Sequence, residues 1–284
     1  YPCFCTRKEI QAEIAGAANA PQGPDGPLYP GTCRHLDEAT RQQRMAEGLP
    51  FALRLDVAQA TRRVGHDLRW TDTGHGEHRA TPEIFGDVVL ARKETPASYH
   101  LAVVVDDYLM KITHAFRGEE WLSSAPVHVR LWETLFGLDQ MPQWAHLPLI
   151  LGPQGKLSKR DGAKYGFPVF AMNWTDPKTQ ELTEGFKERG FLPEAFINLL
   201  AMIGWNDGTE KEFYSKQELI EAFDLSRVQK SGARFDPVKL EWMNGVHIRA
   251  MSLDELYDHC TDWWHPAAEN FPPEYKKEVL RLNR

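Results

Sequence analysis

Between residues 96 and 155, short apolar stretches alternate with one of helix length, and no other feature narrows the fold as much. Residues 100–105 read as a buried strand and 113–118 as another short one. Over 127–138 the apolar side chains Val127, Leu131, Trp132, Leu135 and Phe136 recur at helical spacing, and a further apolar run covers 147–151. Strands alternating with helices imply a parallel α/β unit, whose ligands bind at the carboxyl ends of the strands. Just past the last run, Gly152-Pro153-Gln154-Gly155 leads into Lys156-Leu-Ser-Lys-Arg-Asp-Gly162. Two lysines and an arginine on a loop behind a strand suit closure over a polyphosphate, because positioned cations stabilise charge that develops in phosphoryl or adenylyl transfer. Taken alone, the same pattern also describes a solvated basic turn.

The flanking sequence suggests more than one domain. The chain has 284 residues, 42% hydrophobic and 26% charged, enough for a sizeable core and two or three domains. No apolar run reaches the length of a membrane span and no charged-then-apolar leader opens the sequence, so a soluble cytoplasmic protein without a membrane partner is expected. Four cysteines make no disulfide framework. A net charge of −7 argues weakly against a general nucleic-acid coat. Residues 225–249 nonetheless hold Arg227, Lys230, Arg234, Lys239 and Arg249 against Asp236 and Glu241, a locally basic stretch that also fits an ordinary surface.

Residues 1–5 read as a strand, and Thr6-x-x-Glu9 is a capping box opening a short helix. Residues 20–32 are a proline- and glycine-rich loop, 37–48 a polar helix, and 51–56 and 87–93 strands. Residues 66–78 read as a solvated loop. His75 and His78 lie there without the HExxH pattern that would argue for a metal. Beyond about 175 the chain turns helical: Pro193 opens a helix with positions 195, 196, 199, 200 and 203 on one face, and Ser215-x-x-Glu218 and Ser252-x-x-Glu255 cap two more.

Several segments carry chemistry. Cys3-x-Cys5, with Cys33-x-His35 and Tyr29, offers soft ligands from two sides of a loop, which could surround zinc or be buried reduced thiols. The Tyr99-His-Leu-Ala102 and Phe116-Arg-Gly-Glu-Glu-Trp121 segments, with KLSKR behind an apolar strand, resemble glutamyl-tRNA synthetases, which are class I aminoacyl-tRNA synthetases. The Cys-x-Cys and Tyr-x-x-x-Cys spacing resembles the zinc site in the acceptor-stem insertion of glutamyl-Q tRNA(Asp) synthetases, a shortened branch. There Tyr29 is the fourth ligand beside Cys3, Cys5 and Cys33, while zinc chemistry would favour the imidazole of His35.

The resemblance implies an α/β fold: an incomplete Rossmann-type parallel sheet with a zinc-bearing acceptor-stem insertion over 1–98, the second half of the catalytic domain over 99–174, an α-helical stem-contact domain over 175–250, and the start of an anticodon-binding domain over 251–284. It implies ATP-dependent ligation of L-glutamate to tRNA(Glu) by a monomer, with ATP and Mg2+ as substrate and structural Zn2+. Lys156, Ser158 and Lys159 would handle the phosphates, Glu120 and Trp121 the adenosine, and Tyr99 and Arg117 the glutamate. A guanidinium offers only donors, so it pairs with a carboxylate and leaves the NH2 of glutamine unpaired, at about 1–3 kcal/mol. Residues 234–244 resemble the stem-contact segment, with Lys239, Asn244 and Arg249 facing RNA and Phe235, Leu240 and Trp242 in the core.

Three departures shape the expectation. No HxGH occurs, and residue 1 falls near the start of the acceptor-stem insertion, so an isolated chain is expected to activate glutamate poorly. Val103 stands where glutamyl-tRNA synthetases usually place asparagine, as in the glutamyl-Q branch. Up to about 107 the chain resembles that branch and from about 117 the full-length enzymes, as a composite would, and it ends at 284 as though cut within a helix. Glutamylation of tRNA(Asp), or tRNA binding without catalysis, are the competing functions.

Overall fold

The computed structural model describes residues 1–17, 22–23, 26–64, 67–92, 94–152, 155–157 and 168–284. The chain divides into two compact units, Tyr1–Leu147 and Pro148–Arg284.

In the first unit, β1 (Pro2–Cys3), β4 (Ala52–Arg54) and β7 (Val89–Arg92) form an antiparallel sheet in that order, and β2 (Gln22–Gly23) pairs with β3 (Gly26–Pro27) as a short ladder within the expected loop. The capping box holds: Thr6 Oγ1 accepts from Glu9 N at 3.3 Å while Glu9 accepts from Thr6 N at 2.6 Å, opening α1 (Arg7–Gly16). Asp37 caps α2 (Glu38–Ala46) through Thr40 N. Buried Asp87 ties this region together, accepting from the Tyr1 hydroxyl at 2.6 Å, Arg34 at 3.2 Å and Val57 N at 3.1 Å. Val57 begins α3 (Val57–Val64).

A second sheet runs β6 (Gly76–Ala80), β5 (Leu68–Asp72), β9 (Gln143–Leu147), β8 (His114–Gly118). Residues 66–78, read as a loop, mostly form the β5–β6 hairpin instead. Trp70 and His78, opposite one another in the register, stack at 5.2 Å, so cross-strand burial orders what composition marked as solvated. The pairs β5–β9 and β8–β9 are parallel, with α5 (Ala125–Leu135) as the crossover from β8 to β9. Residues 125–132 of α5 are all buried, its surroundings including α3, α4 (Tyr99–Leu109) and β5.

The strand expected over 100–105 is corrected to the helix α4. Its three consecutive valines favour a strand locally, but Ser98 caps the segment by accepting from Leu101 N, and fully buried Val104 packs with Val127, Leu131 and Trp132. Tertiary burial outweighs propensity here. The single strand expected over 147–151 is two: β9 ends at Leu147 and β10 (Ile150–Gly152) begins the second unit, with Pro148 breaking the ladder.

In the second unit β10 pairs antiparallel with β11 (Gly155–Lys156) and parallel with β14 (Ala233–Arg234). Gly155, the first residue of β11, has φ +117°, a backbone conformation that favours glycine. A ladder of β12 (Trp174–Thr175) and β13 (Leu182–Thr183) precedes helices Pro193–Met202, Lys216–Ala222, Pro237–Ala250, Leu253–His259 and Pro273–Asn283. Both serine capping boxes form. Ala195, Leu199, Leu240 and Met243 are core, whereas Leu200, expected on the buried face, is 37% exposed. Asn198 is buried instead, with Oδ1 accepting from Tyr214 N at 2.9 Å and Nδ2 donating to Glu212 O at 3.1 Å.

Candidate functional site

Strand β8 alternates exposed and buried side chains, which puts Arg117 on its inner face near the carboxyl end, where a parallel sheet presents its ligand-binding groups. Only 9% exposed, Arg117 donates from Nη2 to Asp107 Oδ2 at 3.1 Å and from Nη1 to His128 Nδ1 at 3.4 Å. Its guanidinium lies 5.1 Å from the centre of the Trp144 ring. Asp107 comes from the last turn of α4, and fully buried His128 from α5. Burial raises the Asp107 carboxyl above its ordinary range, with Asp106 adding to the rise and Arg117 opposing it. Burial first, then the Arg117 charge, drive His128 down to about 3, so its imidazole is neutral.

Tyr99, the first residue of α4, lies beside His128 with ring centres 5.9 Å apart, so His128 stands between Tyr99 and Arg117. On its other side Tyr99 meets Trp121 at 4.5 Å, and both rings are more than a third exposed. Tyr99, His100 and Trp121 share a cleft of about 490 Å³ with Val88 and Arg92. Glu120 folds back over Gly118, in the space a Cβ there would fill. Tyr99, Trp121, His128 and Arg117 are thus one contiguous cluster, with Glu120 at its edge.

Beside Arg117 in the β8–β9 register is His146, and beyond it Asp72 at the end of β5. Asp72 is wholly buried. Its Oδ2 accepts from His146 N at 3.0 Å and His146 Nδ1 at 2.6 Å, its Oδ1 from Gly74 N and His75 N at 2.9 and 3.0 Å. Burial pushes this carboxyl up, but the hydrogen bonds from His146 and His75 outweigh it and hold Asp72 below its ordinary range. Burial likewise lowers His146. His75 therefore serves Asp72 and His78 stacks on Trp70. Asp72, Asp107, His128 and His146 escaped the sequence reading. The one usable signal was Asp107 lying eight residues after Tyr99, on the same helical face.

At the amino terminus, the sulfurs of Cys3, Cys5 and Cys33 all lie within 4.8 Å of one another. The Tyr29 hydroxyl joins them, 3.3 Å from Cys3 Sγ and 3.5 Å from Cys5 Sγ, and accepts from Cys33 N at 2.9 Å. His35 points to solvent in the same short turn. Gly31, at φ +92°, opens that turn and aims Cys33 inward. The Arg54 guanidinium sits 3.9 Å over the Tyr29 ring. Burial raises all three groups; for Cys3, hydrogen bonds from Tyr29 and Arg54 more than offset it and leave that thiol lowered, whereas Cys5 is pushed up to about 12 and Tyr29 up as well. Three sulfurs and a phenol oxygen converging without a disulfide suit a thiophilic tetrahedral ion, so the donor set fits zinc.

In the second unit Lys156 is exposed on β11, while Ser158 and Lys159 lie outside the described residues. Lys239 pairs with Glu212 at 2.6 Å. The amide of Asn244 is committed to the fold: Oδ1 accepts from Leu192 N at 2.8 Å and Nδ2 donates to Gly190 O at 3.0 Å. Arg249 is exposed. Leu240 is core and Phe235 packs beside it, but Trp242, read as core, is 48% exposed because it lies on the opposite face of its helix.

The family model for the catalytic domain of class I tRNA synthetases (E and Q) matches residues 1–242. The chain belongs to this family. Its mixed α/β architecture, with a parallel sheet and helices, is the class I aminoacyl-tRNA synthetase fold. Among similar proteins, a glutamate–tRNA ligase of Amoebophilus asiaticus is 44% identical over 242 residues, covering 84% of this chain and 46% of the relative. One of Bacteroides fragilis is 42% identical over 260 residues, 90% and 50% of the two chains. The crystal structure of a glutamate tRNA ligase from Elizabethkingia meningosepticum, in complex with its amino acid, superposes with a TM-score of 0.82 at 34% identity, covering 99% of this chain and 56% of that one. The chain spans about half the length of the curated relatives it matches. A 260-residue match within 284 residues must run through 105–120, so one synthetase relative accompanies the chain across the expected join.

Proposed function

We propose that this chain is the glutamate-activating part of a glutamate–tRNA ligase. The observation that carries the reading is Arg117: a buried guanidinium at the carboxyl end of a parallel strand, beside Tyr99 and Trp121 at a cleft, in a class I (E and Q) catalytic domain. Arg117 and Tyr99 hold L-glutamate by its side-chain carboxylate. A carboxylate oxygen of the α-carboxyl attacks the α-phosphorus of ATP, the bond to the β-phosphate oxygen breaks, and pyrophosphate leaves. A ribose hydroxyl of tRNA(Glu) then attacks the adenylate carbonyl and AMP leaves. Positioning and electrostatics suffice for such chemistry, with no side-chain nucleophile.

In this reading Glu120 and Trp121 contact adenosine, and Lys156, Ser158 and Lys159 the phosphates of Mg2+–ATP. Cys3, Cys5, Cys33 and Tyr29 hold zinc, which would supply a structural cross-link to a loop with little core of its own. Residues 1–98 meet the acceptor stem, 99–174 form the catalytic portion, and 175–250, with Lys239 and Arg249, contact the tRNA stem; 251–284 begin an anticodon-binding domain. Asn244, whose amide is spent on Leu192 and Gly190, keeps that helix in place. The enzyme works in the cytoplasm as a monomer. Among the described residues no helix is long and apolar enough to cross a membrane.

The test is transfer of labelled glutamate by this chain and by a version extended at its amino terminus, each offered tRNA(Glu) and tRNA(Asp) side by side. Label on the 3′ end of tRNA(Glu) is expected. Label on queuosine in tRNA(Asp), or tRNA binding without any transfer, would replace the reading.

A further inference from the structure

We propose that Asp107 is a positioning residue for the amino-acid site, fixing the Arg117 guanidinium so that the donors left over read a carboxylate. The inference rests on the glutamate role given to Arg117 and adds the residue that makes its geometry selective.

Asp107 lies on the face of α4 that carries Tyr99 and Val103, at positions i, i+4 and i+8. Val103 is apolar and packs against the core, so it offers the guanidinium no hydrogen bond, and the polar contact from this face falls to Asp107. The pair is well shielded, with side chains 6% and 15% exposed. An arginine has about five N–H donors. Asp107 takes one on Nη2 and His128 one on Nη1, from two different helices, so about three remain, including one on each terminal nitrogen.

The proton positions follow. Arginine cannot accept, so His128 Nδ1 is the acceptor and its proton sits on Nε2. That nitrogen lies 3.0 Å from His100 Nδ1, and therefore donates to it. The His128 imidazole is neutral, which leaves Asp107 as the one charged partner among the contacts described for Arg117. A carboxylate there has two opposed effects. It orients the fork, and it repels a second carboxylate brought to the same guanidinium. Shielding makes a misplaced fork costly, and the buried imidazole and Trp144 leave the guanidinium little else to turn toward. Orientation is therefore the larger effect.

Calorimetric titration of the 284-residue chain with L-glutamate and L-glutamine tests this. Asp107→Asn keeps the shape and removes the charge. Glutamate is expected to bind it roughly tenfold more weakly than wild type, about 1.4 kcal/mol, with glutamine affinity little changed, so the preference narrows. Asp107→Glu restores the charge one methylene out of place and should fall between the two. A merely structural role would lower the melting temperature without narrowing the glutamate-to-glutamine ratio. If Asp107→Asn binds glutamate as well as wild type, or more tightly, the inference is overturned while the glutamate reading stands. If Asp107→Asn does not fold, Asp107→Glu decides alone, and wild-type affinity there overturns the inference. A wild-type chain that binds no glutamate overturns the inference, while the proposed function is decided separately by the glutamate-transfer assay.

Discussion

Replacing Asp72 by asparagine puts a number on the buried node behind the Arg117 strand. The carboxylate accepts from two backbone N–H groups through Oδ1 and from the His146 N–H and Nδ1 through Oδ2. Asparagine has one oxygen. Set to keep the turn at Gly74 and His75, it aims its NH2 at His146 N, and a buried backbone donor goes unpaired at about 1–3 kcal/mol. His146 can retautomerise to accept from the amide, but the hydrogen bonds that remain lose their charge assistance, roughly 1 kcal/mol each. The sum is about 3–5 kcal/mol, a large share of the 5–15 kcal/mol typical of a whole domain. For a unit of this size the melting temperature should drop by roughly 6–20 °C at pH 7. The folded Asp72 carboxyl sits below its unfolded value, so its contribution is present above about pH 4 and is lost as pH falls through the folded value. Thermal unfolding followed by near-UV circular dichroism at pH 7 and pH 3 checks both points. A shift under about 2 °C at pH 7, or a wild-type-to-variant gap as wide at pH 3 as at pH 7, would refute the reasoning.

Two further substitutions probe separate parts of the account. Cys33→Ser should abolish stoichiometric zinc in the purified chain by elemental analysis, and a chelator should lower the melting point of wild type but not of the variant; equal zinc in both proteins contradicts the ligand set. Asn244→Ala strips partners from Leu192 N and Gly190 O and should destabilise the second unit by about 2–4 kcal/mol in urea, and a loss below 0.5 kcal/mol would return Asn244 to the list of RNA-facing residues.

What sequence disclosed, and what it hid, follows from the range of the forces involved. The three capping boxes were legible because a serine or threonine and a glutamate three residues on close a ring without outside help. Helix α4 was misread because Val103, Val104 and Val105 look like a strand until Val104 finds α5 across the core. The hairpin at 68–80 hid behind glycines and histidines whose order comes from pairing. The same division holds at the site. Arg117, Tyr99 and the cysteines stood out by motif. His128 and Asp72 are defined by what they touch across 28 or 74 residues of sequence, which spacing does not reveal. Trp242 and Leu200 missed their expected environments for a like reason: helical periodicity gives a face, and the neighbours decide which face is covered.

The claim beneath the whole account is that Arg117 selects glutamate by its side-chain charge. Its most direct measurement is the ratio of L-glutamate to L-glutamine affinity in wild type and in Arg117→Gln, by competition calorimetry on the same chain. Wild type should prefer glutamate by tenfold or more, about 1.4 kcal/mol or above, and the variant should lose this preference while remaining folded. A ratio near one in wild type, or the same preference in Arg117→Gln, would contradict it.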